Sequence, residues 1–225
     1  MSRDREKQLA AEAAAELVTS GQTVGLGTGS TAAFAVRKLG QRVRDGLSML
    51  GIPTSESTRA LAEAEGIPLT TFADTHAIDI TLDGADEFDA GLNLIKGGGG
   101  ALFREKIVAS ASRRLVIFAD ASKRVERLGR FPLPVEVTPF GWQVAAARIE
   151  ELGAGVSLRG GADAPFLTDN HGYVLDCAFG EIRDPAALEA RLRAIVGVTV
   201  TGLFVGMAET VLMAEGETVH TFRPA

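Results

Sequence analysis

Cysteine is nearly absent: Cys177 is the only one in 225 residues. A single thiol excludes an internal disulfide and a thiolate metal cluster. It lies in the alternating run Tyr173-Val-Leu-Asp-Cys177, which reads as a strand with the sulfur turned into the core. Histidine is scarce as well. His76 and His171 fall in expected loops and His220 in the C-terminal tail, away from the four strings that carry candidate chemistry below. Basic residues are in deficit, 23 Lys and Arg against 29 Asp and Glu, for a net charge of −6. That balance argues against a nucleic-acid or membrane-surface partner, either of which needs an extended basic face. No apolar run approaches the ~20 residues of a membrane span, and the charged Met1-Ser-Arg-Asp-Arg-Glu-Lys7 has no signal-peptide core. The expectation is a cytoplasmic protein that holds any anionic ligand with a few local cations and backbone N–H groups.

What is present is an ordinary globular composition, 46% hydrophobic, long enough for one large domain with a smaller companion. Helices are expected over Asp4 to Val18, from Gly29 past Val36, over Ser57 to Glu65 and over Gly100 to Ser112. Strands are expected at Thr23 to Gly27, Ser48 to Ile52, Pro68 to Phe72, Ala77 to Leu82 and Leu115 to Phe118. Strands alternating with helices predict a parallel sheet covered on both faces. After Phe131-Pro-Leu-Pro134 the pattern changes. Strands at Val135 to Val137 and Gly155 to Arg159 bracket a helix at Trp142 to Leu152. A hairpin of Phe166 to Thr168 with Tyr173 to Cys177, a helix at Pro185 to Ile195 and a strand at Val198 to Phe204 follow. The tail strands Glu209 to Met213 and Thr218 to Phe222 can return to the first domain. The fold class is therefore α/β, a Rossmann-like parallel-sheet domain (1–130 plus 205–225) with a smaller α+β, antiparallel-sheet domain (131–204).

Four strings carry candidate chemistry. Gly25-Leu-Gly-Thr-Gly-Ser-Thr31 links a strand to a helix. It lacks the third glycine of a dinucleotide fingerprint and the lysine of a P-loop. It is either a capped tight turn or a cradle of N–H groups and hydroxyls for a phosphate or another small anion. Asp83-Gly-Ala-Asp-Glu87 ends a strand with three mutually repelling carboxylates, a solvated acidic turn or a ligand site. Lys96-Gly-Gly-Gly-Gly-Ala-Leu-Phe-Arg-Glu-Lys106 holds four consecutive glycines, which free the backbone to wrap closely around a ligand. Glu105 follows a turn into the next helix, between Arg104 and Lys106, which read as exposed alternating charge. Ala119-Asp-Ala-Ser-Lys123 places a lysine after a buried strand.

All four strings fall just after, or very close to, the carboxyl ends of expected strands, the edge where parallel α/β sheets place ligands. With no histidine near them, a proton-transferring base there is a carboxylate.

These residues resemble the type A ribose-5-phosphate isomerase family. The matching strings are Gly27 to Thr31, Asp83 to Glu87, Lys96 to Leu102 with Arg104 to Lys106, and Ala119 to Lys123. Phe131-Pro-Leu-Pro-Val-Glu-Val137, Thr168-Asp-Asn170 and Gly202-Leu-Phe204 match as well, so the likeness runs in order over nearly the whole chain. Phe103 departs from it, standing where a smaller or more polar residue is expected. The resemblance implies interconversion of D-ribose 5-phosphate and D-ribulose 5-phosphate in the non-oxidative pentose phosphate pathway. It also implies a homodimer or dimer of dimers, with no cofactor; no metal is expected, because the sequence offers no His/Cys ligand set and the carboxylates have lysines to neutralise them. By position, Glu105 is the implied general base, with Asp83, Asp86 and Lys96 as the other catalytic groups. Thr28, Gly29, Ser30, Thr31, Asp83, Gly84, Ala85, Asp86, Lys96, Gly97, Gly98, Gly99 and Lys123 are the implied substrate-binding positions.

The chemistry suits such residues. Isomerisation lifts a proton from the carbon beside a carbonyl and returns it one carbon along, and one carboxylate on one face of an enediolate can do both. A glutamate works this way in triosephosphate isomerase. Two rivals remain at this level. A sugar-phosphate sensor domain would need an output element such as a basic helix-turn-helix, and no basic segment of that kind is expected ahead of this domain. An amino-sugar-phosphate deaminase or a lactonase would favour a histidine near the site.

Overall fold

The computed structural model describes residues 2–224. In chain order the elements are α1 (Arg3–Ala15), β1 (Gln22–Leu26), α2 (Ser30–Arg44), β2 (Met49–Pro53), α3 (Glu56–Ala64), β3 (Ile80–Asp83), β4 (Glu87–Phe88), β5 (Leu94–Ile95), α4 (Leu102–Ser110) and β6 (Leu115–Asp120). A 3₁₀ turn at Ala121–Lys123 leads on to β7 (Leu133–Val137), α5 (Trp142–Glu150), β8 (Gly155–Leu158), β9 (Tyr173–Ala178), α6 (Pro185–Arg193), β10 (Val198–Thr201), β11 (Leu203–Phe204), β12 (Thr210–Glu215) and β13 (Thr218–Phe222).

The chain forms two compact units. One takes the residues up to Ala85, Arg104–Arg124 and those from Met207 on; the other takes Asp86–Phe103 and Val125–Gly206. The first unit holds a six-stranded sheet in the order β13-β12-β6-β3-β1-β2. All of its pairings are parallel except β12 with the tail strand β13. On one face, Val24, Leu26, Ile80, Leu82, Val116 and Phe118 pack against the alanines of α1 and the apolar stripe of α2. On the other, Val108 of α4 packs with Ile52 and Ile78. Gly25 marks how close α4 comes, since a Cβ there would lie 2.6 Å from Val108 Cγ1. It is therefore a packing glycine rather than part of an anion turn.

The second unit holds two antiparallel sheets, β10-β7-β9-β8 and β11-β5-β4. The helices α5 and α6 cover one face of the four-stranded sheet through Ala145, Ala146, Ile149 and Leu192. Leu133, Val135 and Val137 of β7 point to them, and Pro134 and Glu136 alternate to the opposite face. There Leu102 packs with Val174 and Val200, and Phe103 seals the cluster. The aromatic ring at that unexpected position is thus a core contact.

Several expectations shift. Pro68–Phe72 is not a strand: Leu69 makes one bridge to Gly51, and Pro68 has no N–H with which to continue a ladder. Phe166–Thr168 likewise contributes a single bridge, Leu167 to Tyr173. The expected strand Val198–Phe204 breaks at Gly202 into β10 and β11, which join different sheets. The expected division, 1–130 plus 205–225 against 131–204, differs from the observed units at Asp86–Phe103, Val125–Arg130 and Val205–Gly206. The physical reason is that β4 and β5 pair with each other and β5 with β11, while the buried Glu87 carboxylate accepts from the N–H groups of Gly129 (2.8 Å) and Phe131 (2.6 Å).

Candidate active site

β1, β3 and β6 are neighbours in the parallel sheet, so the segments that follow them lie side by side at its carboxyl edge. From β1 comes Gly27-Thr-Gly-Ser-Thr31. Gly29 has φ +109° and precedes α2 with no side-chain cap, leaving the first N–H groups of α2 to the turn itself. From β3 comes Asp83, 1% exposed, whose carboxylate accepts from Gly84 N–H (2.8 Å) and Thr28 N–H (3.3 Å). A Cβ on Gly27 would lie 2.2 Å from Asp83 Oδ1, so only glycine lets this carboxylate sit against the turn. Gly84 and Ala85 continue the edge, with a Cβ at Gly84 falling 3.7 Å from Thr31. From β6 comes the 3₁₀ turn ending at Lys123, whose buried cap Asp120 accepts from Ser122 N–H at 3.0 Å.

Thr28 does not present its hydroxyl as expected. Its Oγ1 lies 2.7 Å from Thr54 Oγ1, 2.8 Å from Ser55 Oγ and 3.1 Å from Thr58 Oγ1. Thr58 in turn donates to Gly27 O (2.9 Å), and Ser55 caps α3. This hydroxyl cluster fixes the turn from beneath, while Gly29 and Ser30 are exposed. The sequence reading missed Thr54, Ser55 and Thr58. Their signal was the string Pro53-Thr-Ser-Glu-Ser-Thr58, which repeats the strand-to-helix arrangement of the first motif.

Glu105 lies in the first turn of α4 and is 5% exposed. It shares the buried stripe of that helix with Leu102, Val108 and Ala109, while Ile107 faces outward. Its neighbour Arg104 is not idle surface charge. Arg104 Nη1 donates to Glu56 Oε1 at 2.6 Å, tying α4 to α3. That bond holds the Glu56 carboxyl below its ordinary range, with Arg59 adding to the effect.

In the second unit, Lys96 follows β5 and is 3% exposed. Its ammonium stands 5.5 Å from the centre of the Phe204 ring, a cation–π distance. Lys96 N–H donates to Gly202 O (2.9 Å). Asp86 Oδ2 accepts from Gly98 N–H at 2.7 Å, which brings the acidic string and the glycine loop together within this unit. Gly98 and Gly99 are exposed and Gly97 is buried. The glycine loop thus follows a strand of an antiparallel sheet, not the parallel edge assumed for all four strings. The three carboxylates of the acidic string escape mutual repulsion by taking separate partners.

Among the described residues the buried charged side chains are Asp83, Glu87, Lys96, Glu105, Asp120 and Glu136. Charge removed from water is costly by several kcal/mol unless compensated. All but Glu136 lie in the four strings; within them Glu87 and Asp120 accept from nearby backbone N–H groups, and Glu136 accepts from Thr168. Among the described residues no group of three or more His, Cys, Asp or Glu is arranged to hold a metal, and no helix is long and apolar enough to cross a membrane. Cys177 is buried, and burial with the charge of Asp176 pushes its thiol up to about 12.

Fold and buried groups together define an α/β protein with a second, antiparallel unit, buried carboxylates in both units and a buried lysine in the second. The chain belongs to the ribose 5-phosphate isomerase A family. The family model described as ribose 5-phosphate isomerase A (phosphoriboisomerase A) matches residues 50–218. The chain is 57% identical to the ribose-5-phosphate isomerase A of Gloeobacter violaceus, covering 100% of this chain and 99% of that one. To that of Synechococcus sp. (strain JA-3-3Ab) it is 53% identical, covering 99% and 98%. Among solved structures, ribose 5-phosphate isomerase A from Methanocaldococcus jannaschii superimposes with a TM-score of 0.94 at 40% identity, covering 99% of this chain and 100% of that one. A D-ribose-5-phosphate isomerase in complex with phospho-erythronic acid gives 0.96 at 35% identity, with the same coverage.

Proposed function

We propose that this chain interconverts D-ribose 5-phosphate and D-ribulose 5-phosphate, with Glu105 moving the carbon-bound proton through an enediolate. The observation that carries the reading is a glutamate buried to 5% exposure in the first turn of α4, in a chain with full-length identity to isomerases of that name. Glu105 takes the proton from C2 of the open-chain aldose and returns it to C1. Lys96 and the N–H groups of the glycine loop stabilise the enediolate oxygens as they gain charge. Asp83 and Asp86 hold and deprotonate hydroxyls, including during opening of the furanose ring. Gly29, Ser30 and Thr31 bind through the start of α2, Thr28 through its place in that turn, Gly84 and Ala85 through the backbone after Asp83. Gly97, Gly98, Gly99 and Lys123 complete the substrate contacts.

The phospho-erythronic acid seen with the related enzyme supports the intermediate, because its carboxylate is a planar anionic pair of oxygens on a sugar-phosphate chain. The protein works as a homodimer or dimer of dimers in the cytoplasm, without a cofactor. The test is ketose appearance with ribose 5-phosphate beside glucosamine 6-phosphate. Formation of ribulose 5-phosphate with no turnover of the amino sugar is expected; turnover of the amino sugar alone would overturn the reading.

A further inference from the structure

Arg159, at the end of β8, takes part in none of the roles assigned above, yet four groups of the second unit converge on it. Its Nε donates to Asp176 Oδ2 (3.0 Å) and its Nη2 to Asp176 Oδ1, a bidentate fork. Its Nη1 donates to the carbonyl oxygens of Gly97 (2.9 Å) and Gly98 (3.2 Å). The guanidinium carbon lies 5.7 Å from the centre of the Phe166 ring. That ring occupies the space beside Gly100, where a Cβ would come within 2.4 Å of it. The side chains of Arg159 and Asp176 are only 17% and 27% exposed, so the fork is better shielded than a surface ion pair.

A trans peptide group points its C=O and N–H in opposite directions. The peptide between Gly97 and Gly98 is therefore gripped at both ends: its oxygen by Arg159, its N–H by Asp86 Oδ2 at 2.7 Å. The next peptide, with Gly98 O on the same Nη1, must aim the Gly99 N–H away from the guanidinium. Glycine loops have no side chains to fix such orientations and lose much entropy when ordered. An external clamp replaces that missing specification.

We propose that Arg159 is a positioning residue for the glycine loop. Held by Asp176, it sets the two peptide planes of Gly97–Gly99 and, through Gly98 N–H, the Asp86 carboxylate. The inference rests on the assignment of this loop and Asp86 to substrate. Arginine is required because a lysine offers one compact donor group and cannot fork to Asp176 while also serving two carbonyls.

The test compares wild type, Arg159→Lys, Arg159→Ala and Asp176→Asn in the ribose 5-phosphate assay, with circular dichroism as a check on folding. Small misplacements of reacting groups cost up to ~10²-fold in rate. Arg159→Lys should therefore lower kcat by ~10-fold or more, with KM within about threefold. Asp176 acts through Arg159, so Asp176→Asn should add little to Arg159→Lys in the double variant. Ethylguanidine added to folded Arg159→Ala should restore part of kcat, an effect that a purely structural loss would not show. Unchanged kcat in Arg159→Lys, or a loss in Arg159→Ala that ethylguanidine does not relieve, overturns the proposal. Failure of the underlying reading is distinct: wild type itself would then form no ribulose 5-phosphate.

Discussion

A carboxylate held out of water must be compensated by its surroundings or by what it binds, and in the proposed reaction Glu105 is the group that moves the carbon-bound proton. Glutamine keeps its size and polarity while removing the base. Glu105→Gln should lower kcat by at least ~10²-fold with KM little changed. Steady-state kinetics with ribose 5-phosphate would check this, and near-normal kcat would remove Glu105 from the mechanism. Nothing in the local sequence separated Glu105 from a solvated helical glutamate. Arg104 and Lys106 flank it, and the helix is only nine residues long. Its burial is a tertiary fact, set where Val108 meets Gly25 of β1. The resemblance supplied the residue, and the fold supplies the reason it is unusual. Thr28 shows the converse: its identity was legible, but its hydroxyl is claimed by Thr54, Ser55 and Thr58 from the start of α3.

At the scale of elements, the parallel sheet was readable because its strands are continuous apolar runs punctuated by glycine and Ser/Thr caps. The carboxyl edge of β1, β3 and β6 followed directly. The two-residue strands β4, β5 and β11 have no period to detect, and so the attachment of the glycine loop to the second unit stayed hidden. That attachment gives Gly98 a specific burden. A Cβ there would lie 2.6 Å from Asp86 Oδ1 and 3.0 Å from its Cγ, so alanine must displace either the carboxylate or the loop. Gly98 is exposed, and little core packing depends on it. Gly98→Ala should therefore reduce kcat/KM by ~10-fold or more while leaving Tm within a few degrees of wild type. Kinetics and thermal melts on the same preparation separate the two effects. Wild-type kcat/KM would show that the Asp86–Gly98 contact has no part in turnover.

For the molecule as a whole, one buried acid outside the proposed chemistry couples stability to pH. Glu136 on β7 is 1% exposed, with Val174 and Val200 as its partners on the flanking strands. Its Oε1 accepts from Thr168 Oγ1 at 2.9 Å; its Oε2 is buried and makes no hydrogen bond among the described residues. Burial raises its carboxyl above the ordinary value of 4.5, the charge of Asp169 adds to the rise, and the Thr168 hydrogen bond works against it. A group raised in the folded state binds its proton more tightly there than in the unfolded chain. Its contribution to stability is complete below the unfolded value of 4.5 and is lost as pH climbs through the folded one. Glutamine keeps an acceptor for Thr168 and never ionises. Glu136→Gln should consequently melt higher than wild type at pH 7–8, with ~2–4 °C for each kcal/mol regained in a chain of this size. The difference should shrink towards zero as pH falls below the unfolded value. Tm measured across pH 4 to 8 on both proteins reads this directly. A constant offset would assign the effect to packing around Gly172, whose Cβ position lies 2.4 Å from Oε1, and not to the proton.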